Sequence, residues 1–167
     1  MKFLIAGLGS VGRRHLRNLQ SLGHRDIVLY RTGHSTLSDD DLATLTTEYD
    51  LAKALAHRPT VAIISNPTAL HLPVTLAAAL AGCHLFIEKP VSHSLEGLDE
   101  LTAIVHQRGL RVMVGFQYRF HPGLRIVKQL VDDGAIGRVI HAQAHWGEYL
   151  PAWHPWEDYR QSYSARA

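Results

Sequence analysis

A single cysteine, Cys83, excludes an internal disulfide, so packing alone must hold the fold. Cysteine usage this low predicts a reducing, cytoplasmic setting. Long hydrophobic runs are missing as well. The apolar stretch at the N-terminus, Phe3–Ala6, is far too short for a signal peptide or a membrane span. Blocks of one charge are also absent: 17 Lys and Arg against 15 Asp and Glu give a net charge of +2 with the histidines neutral, and the basic residues are scattered. Neither nucleic acid nor membrane is therefore expected as a partner. No internal repeat and no low-complexity segment interrupts the chain. What is present is 46% hydrophobic and 19% charged over 167 residues, the composition of a globular protein. That length suffices for one good core, or for one domain and the beginning of another.

Two kinds of segment alternate along the first two thirds of the sequence. Short apolar runs at residues 2–6, 26–30, 61–65, 84–87 and 111–115 read as strands, several of them rich in β-branched residues. Between them lie helical patterns. Residues 11–22 place Val11, His15, Leu19 and Leu22 on one face, with Gly23 as a stop. A short helix over residues 51–57 closes before Pro59. Leu72, Leu76, Ala79 and Leu80 form the next stripe, with Pro73 tolerable only in its first turn. Ser94 is placed to cap a helix from residue 95 to 107, with Leu98, Leu101 and Val105 on its face. Nearly continuous apolar strands separated by helices predict parallel strands covered on both sides, and right-handed crossovers make of them a doubly wound α/β sheet of the Rossmann type.

The pattern changes after Phe116. Residues 124–131 read as a helix. Residues 138–146 alternate, with Ile140, Ala142, Ala144 and Trp146 on one side and His141, Gln143 and His145 on the other, which predicts a half-buried antiparallel strand. The last twenty residues hold two prolines and two tryptophans without a period and read as a loop. The expected organisation is a dinucleotide-binding domain over residues 1–119 and, over residues 120–167, the start of an α+β domain with an antiparallel sheet.

The opening "MKFLIAGLGSVGRRH" carries the most specific local signal. Gly7, Gly9 and Gly12 follow a strand and open a helix, the setting in which GxGxxG binds a dinucleotide. Gly7 permits the tight turn, Gly9 lets the main chain approach a pyrophosphate, and Gly12 lets helix and strand pack closely. Ser10 and Val11 lie at the helix N-terminus, where free N–H groups face an anion. An acidic residue normally follows about twenty positions on, to accept hydrogen bonds from the ribose. Here the place reads Tyr30-Arg31-Thr32. Arg31 would pair with a 2′-phosphate and stack on adenine, and Thr32, His34 and Ser35 would add donors, so NADP is favoured over NAD. The alternative is that Arg31 is a solvated loop residue.

Four motifs occur in a fixed order after successive strands: "GLGSVGRRH", "SNPTALH", "IEKPVS" and "GFQYRFHP". Together they resemble the Gfo/Idh/MocA family of NAD(P)-dependent oxidoreductases over essentially the whole chain. The resemblance implies an N-terminal Rossmann domain and a C-terminal α+β domain with a large, open, mostly antiparallel sheet. It also implies hydride transfer between nicotinamide and a hydroxyl carbon of a sugar, cyclitol or related compound. Carried over to these positions, Lys89 is the active-site lysine, which hydrogen-bonds the reacting hydroxyl and manages its proton. Glu88 faces the nicotinamide ribose, and the Lys89–Pro90 bond is cis. Ser65, Asn66, Pro67, Thr68 and His71 line the cofactor cleft, with Asn66 standing where relatives often have Thr. Gln117 and Arg119 lie near nicotinamide or substrate. An ammonium close to developing oxyanion charge suits this chemistry, and burial would tune the lysine for it.

One departure bears on activity. Relatives continue into a glycine-rich turn and a helix carrying an Asp and a His, which this sequence does not contain. The expectation is an N-terminal portion that binds cofactor without being catalytically complete. The alternative is a non-catalytic dinucleotide-binding sensor or scaffold. Relatives assemble through the open sheet, so a homo-oligomer is expected, with residues 138–146 pairing with another copy or staying disordered.

Twelve histidines raise the question of a metal. On a strand His141 and His145 would stand about 13 Å apart, too far to share one ion, so no metal site is expected. Trp153, Trp156 and Tyr159 either form a wall on which a sugar stacks or pack against a further domain. Asp158 and Arg160 are candidate substrate contacts.

Overall fold

The structure is a computed structural model that describes residues 1–33, 42–153 and 158–161. It divides into two compact units, Met1–Tyr118 and Arg119–Ala167. In the first, the strands are β1 (Phe3–Ala6), β2 (Ile27–Tyr30), β3 (Thr46–Glu48), β4 (Val61–Ile64), β5 (His84–Ile87) and β6 (Val112–Val114). The helices are α1 (Ser10–Ser21), α2 (Leu51–Ala56), α3 (His71–Leu80) and α4 (Leu98–Arg108). All strand pairs are parallel, in the order β3-β2-β1-β4-β5-β6. This is the order of a doubly wound dinucleotide-binding sheet, whose direction of winding reverses between β1 and β4.

Alternate residues of each strand feed two cores, which is why the strands are apolar throughout. Leu4, Ala6, Ile64, Leu85 and Ile87 point to one face, against Ala54 of α2, Val74 and Ala78 of α3 and Ile104 of α4. Phe3, Ile5, Leu29 and Ile63 point to the other, against Leu16 and Leu19 of α1. Cys83 lies fully buried just before β5, where its thiol donates to Pro59 O, and burial pushes its pKa up to about 11.

Several local expectations shift. The buried stripe of α1 is Gly12, Arg13, Leu16 and Leu19, and Leu22 is 74% exposed. The helix expected from residue 95 begins only at Leu98, because Gly97 at its N-cap has φ 79°, outside helical space. Strand β3 has no counterpart in the sequence pattern. Its three residues, Thr-Thr-Glu, carry no apolar signal, and it is defined by pairing with β2 at the sheet edge.

The second unit holds α5 (Pro122–Asp132) and α6 (Leu150–Trp153). Proline opens α5, where its missing N–H costs no hydrogen bond. The strand expected over residues 138–146 is not formed, and those residues carry no regular secondary structure. A strand exists only by sharing hydrogen bonds with another, and no described segment pairs with this one. Ile140 and Trp146, expected on a buried face, are 86% and 72% exposed. The antiparallel sheet is therefore absent from the described residues.

Candidate functional site

Parallel strands end together, and here they end level. Ala6 lies opposite Tyr30 and Ile64, Ile64 opposite Ile87, and Ile87 opposite Val114. The residue after each strand keeps the ladder for one more bond. Gly7 N donates to Tyr30 O, Ser65 N to Ala6 O, Glu88 N to Ile64 O and Gly115 N to Ile87 O, at 2.8–3.1 Å. The candidate residues on these connections therefore lie along one carboxyl edge, with β1 and β4 at its centre.

The glycine turn fits its predicted roles by geometry. Gly7 has φ 91°, and a Cβ there would stand 2.4 Å from Asn66 N. A Cβ on Gly12 would stand 1.9 Å from Gly7 O. Gly9 is different: it has φ −69°, and a Cβ there would meet nothing within 4 Å. It is also the N-cap of α1 and offers no side-chain cap to that helix. The first N–H groups of α1, at Ser10 and Val11, thus begin beside a residue with no side chain and open space at its Cβ position, which suits a pyrophosphate. Ser65 Oγ, within reach of Ala6 O and Gly7 O at 3.1 and 2.9 Å, braces the turn from β4.

Asn66 Nδ2 donates to Leu70 O at 3.0 Å, which sets the amide so that Oδ1 points away. That oxygen is buried and has no partner among the described residues. An orphaned acceptor next to the glycine turn suits a ligand hydroxyl or amide. Pro67 precedes the short 3-10 turn Thr68–Leu70, which leads into α3. His71, 2% exposed, does not face a cleft: Nδ1 lies 2.9 Å from Pro90 O and Nε2 2.8 Å from Asn66 O. Its ring ties the connection after β4 to the one after β5 and acts through their main chains.

After β5 come Glu88, Lys89 and the cis Lys89–Pro90 bond. Lys89 is exposed, so the described residues do not supply the burial expected around it. Glu88 is enclosed: His15 Nε2 donates to its Oε1 at 2.8 Å, and Lys89 N to its Oε2 at 3.3 Å. Burial works to raise the Glu88 carboxyl. The hydrogen bond and charge of His15, the Lys89 N–H and the charge of Arg14 outweigh it and hold the carboxyl below its usual range. Stability gained this way is fully present above the ordinary carboxylate range and is lost as pH falls through the lowered native value.

Arg31 follows β2, with its N–H on Glu48 O at 3.0 Å, and it is only 7% exposed. It is therefore not a solvated loop residue. Thr32 beside it is exposed, while His34 and Ser35 lie outside the described residues. Gln117 and Arg119 share the 3-10 turn Gln117–Phe120 that follows β6, Arg119 being the first residue of the second unit. Asp158 and Arg160 pair with each other at 3.6 Å, and the Arg160 guanidinium lies 4.7 Å from the Tyr159 ring centroid. Trp153 ends α6, and Trp156 lies outside the described residues. Among the described residues no three His, Cys, Asp or Glu side chains gather as a metal-ligand set, and no helix is long and apolar enough to cross a membrane.

Two contributors escape the sequence reading. The period places His15 only on a helix face, and it is the bond to Glu88 that brings it to the carboxyl edge. Gly115 reads only as a strand end, yet a Cβ there would lie 3.1 Å from the Glu88 carboxylate.

A parallel sheet in this strand order with a glycine turn at its switch point defines a Rossmann-type dinucleotide-binding domain. The chain belongs to the Gfo/Idh/MocA family: the model of that oxidoreductase family, with its NAD-binding Rossmann fold, matches residues 1–116. The uncharacterized oxidoreductase YrbE of Bacillus subtilis is 34% identical over 141 residues, which cover 80% of this chain and 40% of that protein. The crystal structure of myo-inositol 2-dehydrogenase from Lactobacillus plantarum is similar, with a TM-score of 0.74 and 26% identity over 84% of this chain and 43% of that one. Scyllo-inositol dehydrogenase from Lactobacillus casei, solved with NAD(H) and scyllo-inositol, gives a TM-score of 0.69 and 26% identity over 82% of this chain and 42% of that one. The chain thus spans less than half the length of these relatives.

Proposed function

We propose that this chain holds a nicotinamide dinucleotide along the carboxyl edge of its sheet and serves hydride transfer to or from a hydroxyl carbon of a sugar, cyclitol or related polyol. The observation that carries this reading is the level register of Ala6, Ile64 and Ile87, with the glycine turn and Asn66 at the switch point and Lys89 after the next strand. The inositol dehydrogenases among the similar structures support the substrate class. In this reading the N–H groups of Ser10 and Val11 receive the pyrophosphate, and Asn66 Oδ1 accepts from a ligand donor. A bound nicotinamide supplies the hydride acceptor or donor. Lys89 Nζ takes the hydroxyl proton during oxidation and returns it during reduction, while the charge it then carries steadies the substrate oxygen.

Titration with NADPH and NADH, followed by fluorescence, tests the cofactor half. Gly9→Ala is expected to unfold at the same temperature as the unaltered chain, because its Cβ meets no protein atom. The same substitution should weaken dinucleotide binding about tenfold or more, since the methyl group occupies the approach to the pyrophosphate. Unchanged affinity would remove the glycine turn from the site.

The reading includes a preference for NADP(H), supported by the residue after β2 being Arg31 and not the acid that would repel a 2′-phosphate. Arg31→Asp is expected to reverse the NADPH-to-NADH affinity ratio. If the unaltered chain already binds NADH more tightly than NADPH, Arg31 does not set cofactor choice.

A further inference from the structure

The Glu88 carboxylate sits in a socket built from three motifs that lie far apart in sequence. Phe86 and Glu88 are two apart on the β5 extension and so share a face, the one covered by α1. His15, on α1, reaches both: its ring meets Phe86 edge-on at 5.0 Å between centroids, and its Nε2 donates to Glu88 Oε1 at 2.8 Å. The second carboxylate oxygen accepts from Lys89 N at 3.3 Å. On the remaining side the main chain of Gly115 approaches so closely that a Cβ would lie 3.1 Å from Cδ and both oxygens of Glu88. The side chains of His15 and Glu88 are each only 16% exposed, so solvent competes weakly for the bond.

We infer that His15 is a positioning residue, which through Glu88 fixes the direction of the main chain at Lys89 and ties the phosphate-binding helix to the turn that carries the lysine. The kinetic meaning of this clasp rests on the reading of Lys89 given above; the clasp itself does not. Helix α1 would then couple the two ends of the site. A dinucleotide seated on the N-terminus of α1 holds, through His15, the turn from which Lys89 projects. The side chains whose charge bears on the carboxylate are those of His15 and Arg14 of α1, while Lys89 acts through its main-chain N–H.

The test uses the 167-residue chain and begins without ligand. His15→Phe keeps the ring against Phe86 and removes the donor, whereas His15→Gln keeps an N–H at similar reach. Amide exchange at Lys89, read by NMR, should quicken about tenfold or more in His15→Phe, the scale of a lost hydrogen bond to a charged group, and stay close to the unaltered rate in His15→Gln. The Glu88 carboxyl should titrate at higher pH in His15→Phe, since burial remains while its hydrogen bond and charge partner are gone. Gly115→Ala, which crowds the carboxylate from the opposite side, should also speed exchange at Lys89, and it carries the test should His15→Phe fail to fold. Unchanged Lys89 exchange and unchanged Glu88 titration in the folded variants would overturn the inference. NADPH and NADH are then added. If the unaltered chain binds neither while the Lys89 amide responds as described, the clasp stands and the dinucleotide reading falls.

Discussion

Lys89→Ala is expected to lower the rate of hydride transfer by about 10²-fold or more, the scale of losing a positioned proton-transfer group, with dinucleotide affinity intact. The expectation follows from where the chain puts the side chain. Glu88 is the last residue bonded into the ladder, through its N–H to Ile64 O. Lys89 is the first beyond it and is exposed at the carboxyl edge. Removing Nζ therefore subtracts proton handling and charge without disturbing the phosphate end. The measurement is kcat and KM with a panel of sugar alcohols and cyclitols, in a protein of the relatives' full length carrying this sequence, beside a cofactor titration of the same variant. Loss confined to kcat supports the role. A Lys89→Ala variant that turns over substrate at the unaltered rate would sink it, and one that loses cofactor affinity in proportion would make Lys89 a binding residue instead.

Gly12→Ala is expected to cost about 3 kcal/mol of stability, the upper part of the range for forcing atoms into a packed site, and to abolish dinucleotide binding in what remains folded. The added Cβ would stand 1.9 Å from Gly7 O and 2.9 Å from both Gly7 C and Ser65 Oγ. Two of these three atoms are main chain of the turn itself, so relief requires moving either α1 or the turn. Neither can move cheaply: α1 packs through Leu16 and Leu19 into the core, and the turn is pinned by Gly7 N on Tyr30 O and by Ser65 Oγ. Thermal unfolding of Gly12→Ala beside Gly9→Ala separates packing from ligand approach, because a Cβ on Gly9 meets nothing within 4 Å. Equal melting temperatures for the two variants would mean that helix and strand do not need the close approach that Gly12 allows.

The sequence pattern names all three glycines and their duties, and the folded chain supplies the atoms that enforce them. A GxGxxG motif between strand and helix is a local signal, set by the short reach of a tight turn. Space at Gly7 is taken by Ser65 and Asn66, which arrive from β4, and space at Gly12 by Gly7 itself and Ser65, whereas Gly9 is left open. The same holds for Arg31. Its place after β2 is legible in the chain, but its burial depends on what packs around it.

Local period determined most of the fold. Apolar runs such as VAII and HLFI declare strands, whereas the nearly all-apolar stretch HLPVTLAAAL names a helix but not its face. His71, Val74, Thr75, Ala78 and Ala79 are buried, and of the expected stripe of Leu72, Leu76, Ala79 and Leu80 only Ala79 is among them. Where two segments must meet, the sequence is silent. Strand β3 has no apolar residue and is made a strand by pairing with β2. Residues 138–146 alternate well yet form no strand among the described residues, because alternation supplies a face and not a partner. The chain by itself determined the order of the five apolar strands and the helices between them, the glycine turn and the family to which the four motifs point. Only the tertiary structure decided that His15 and Glu88, 73 positions apart, lie at hydrogen-bond distance, that Gly115 closes the socket around that carboxylate, and that His71 turns from the cleft to hold two main chains together. Hydrophobic periodicity is written residue by residue, whereas side-chain pairing depends on strand order and register, which exist only once the sheet is assembled.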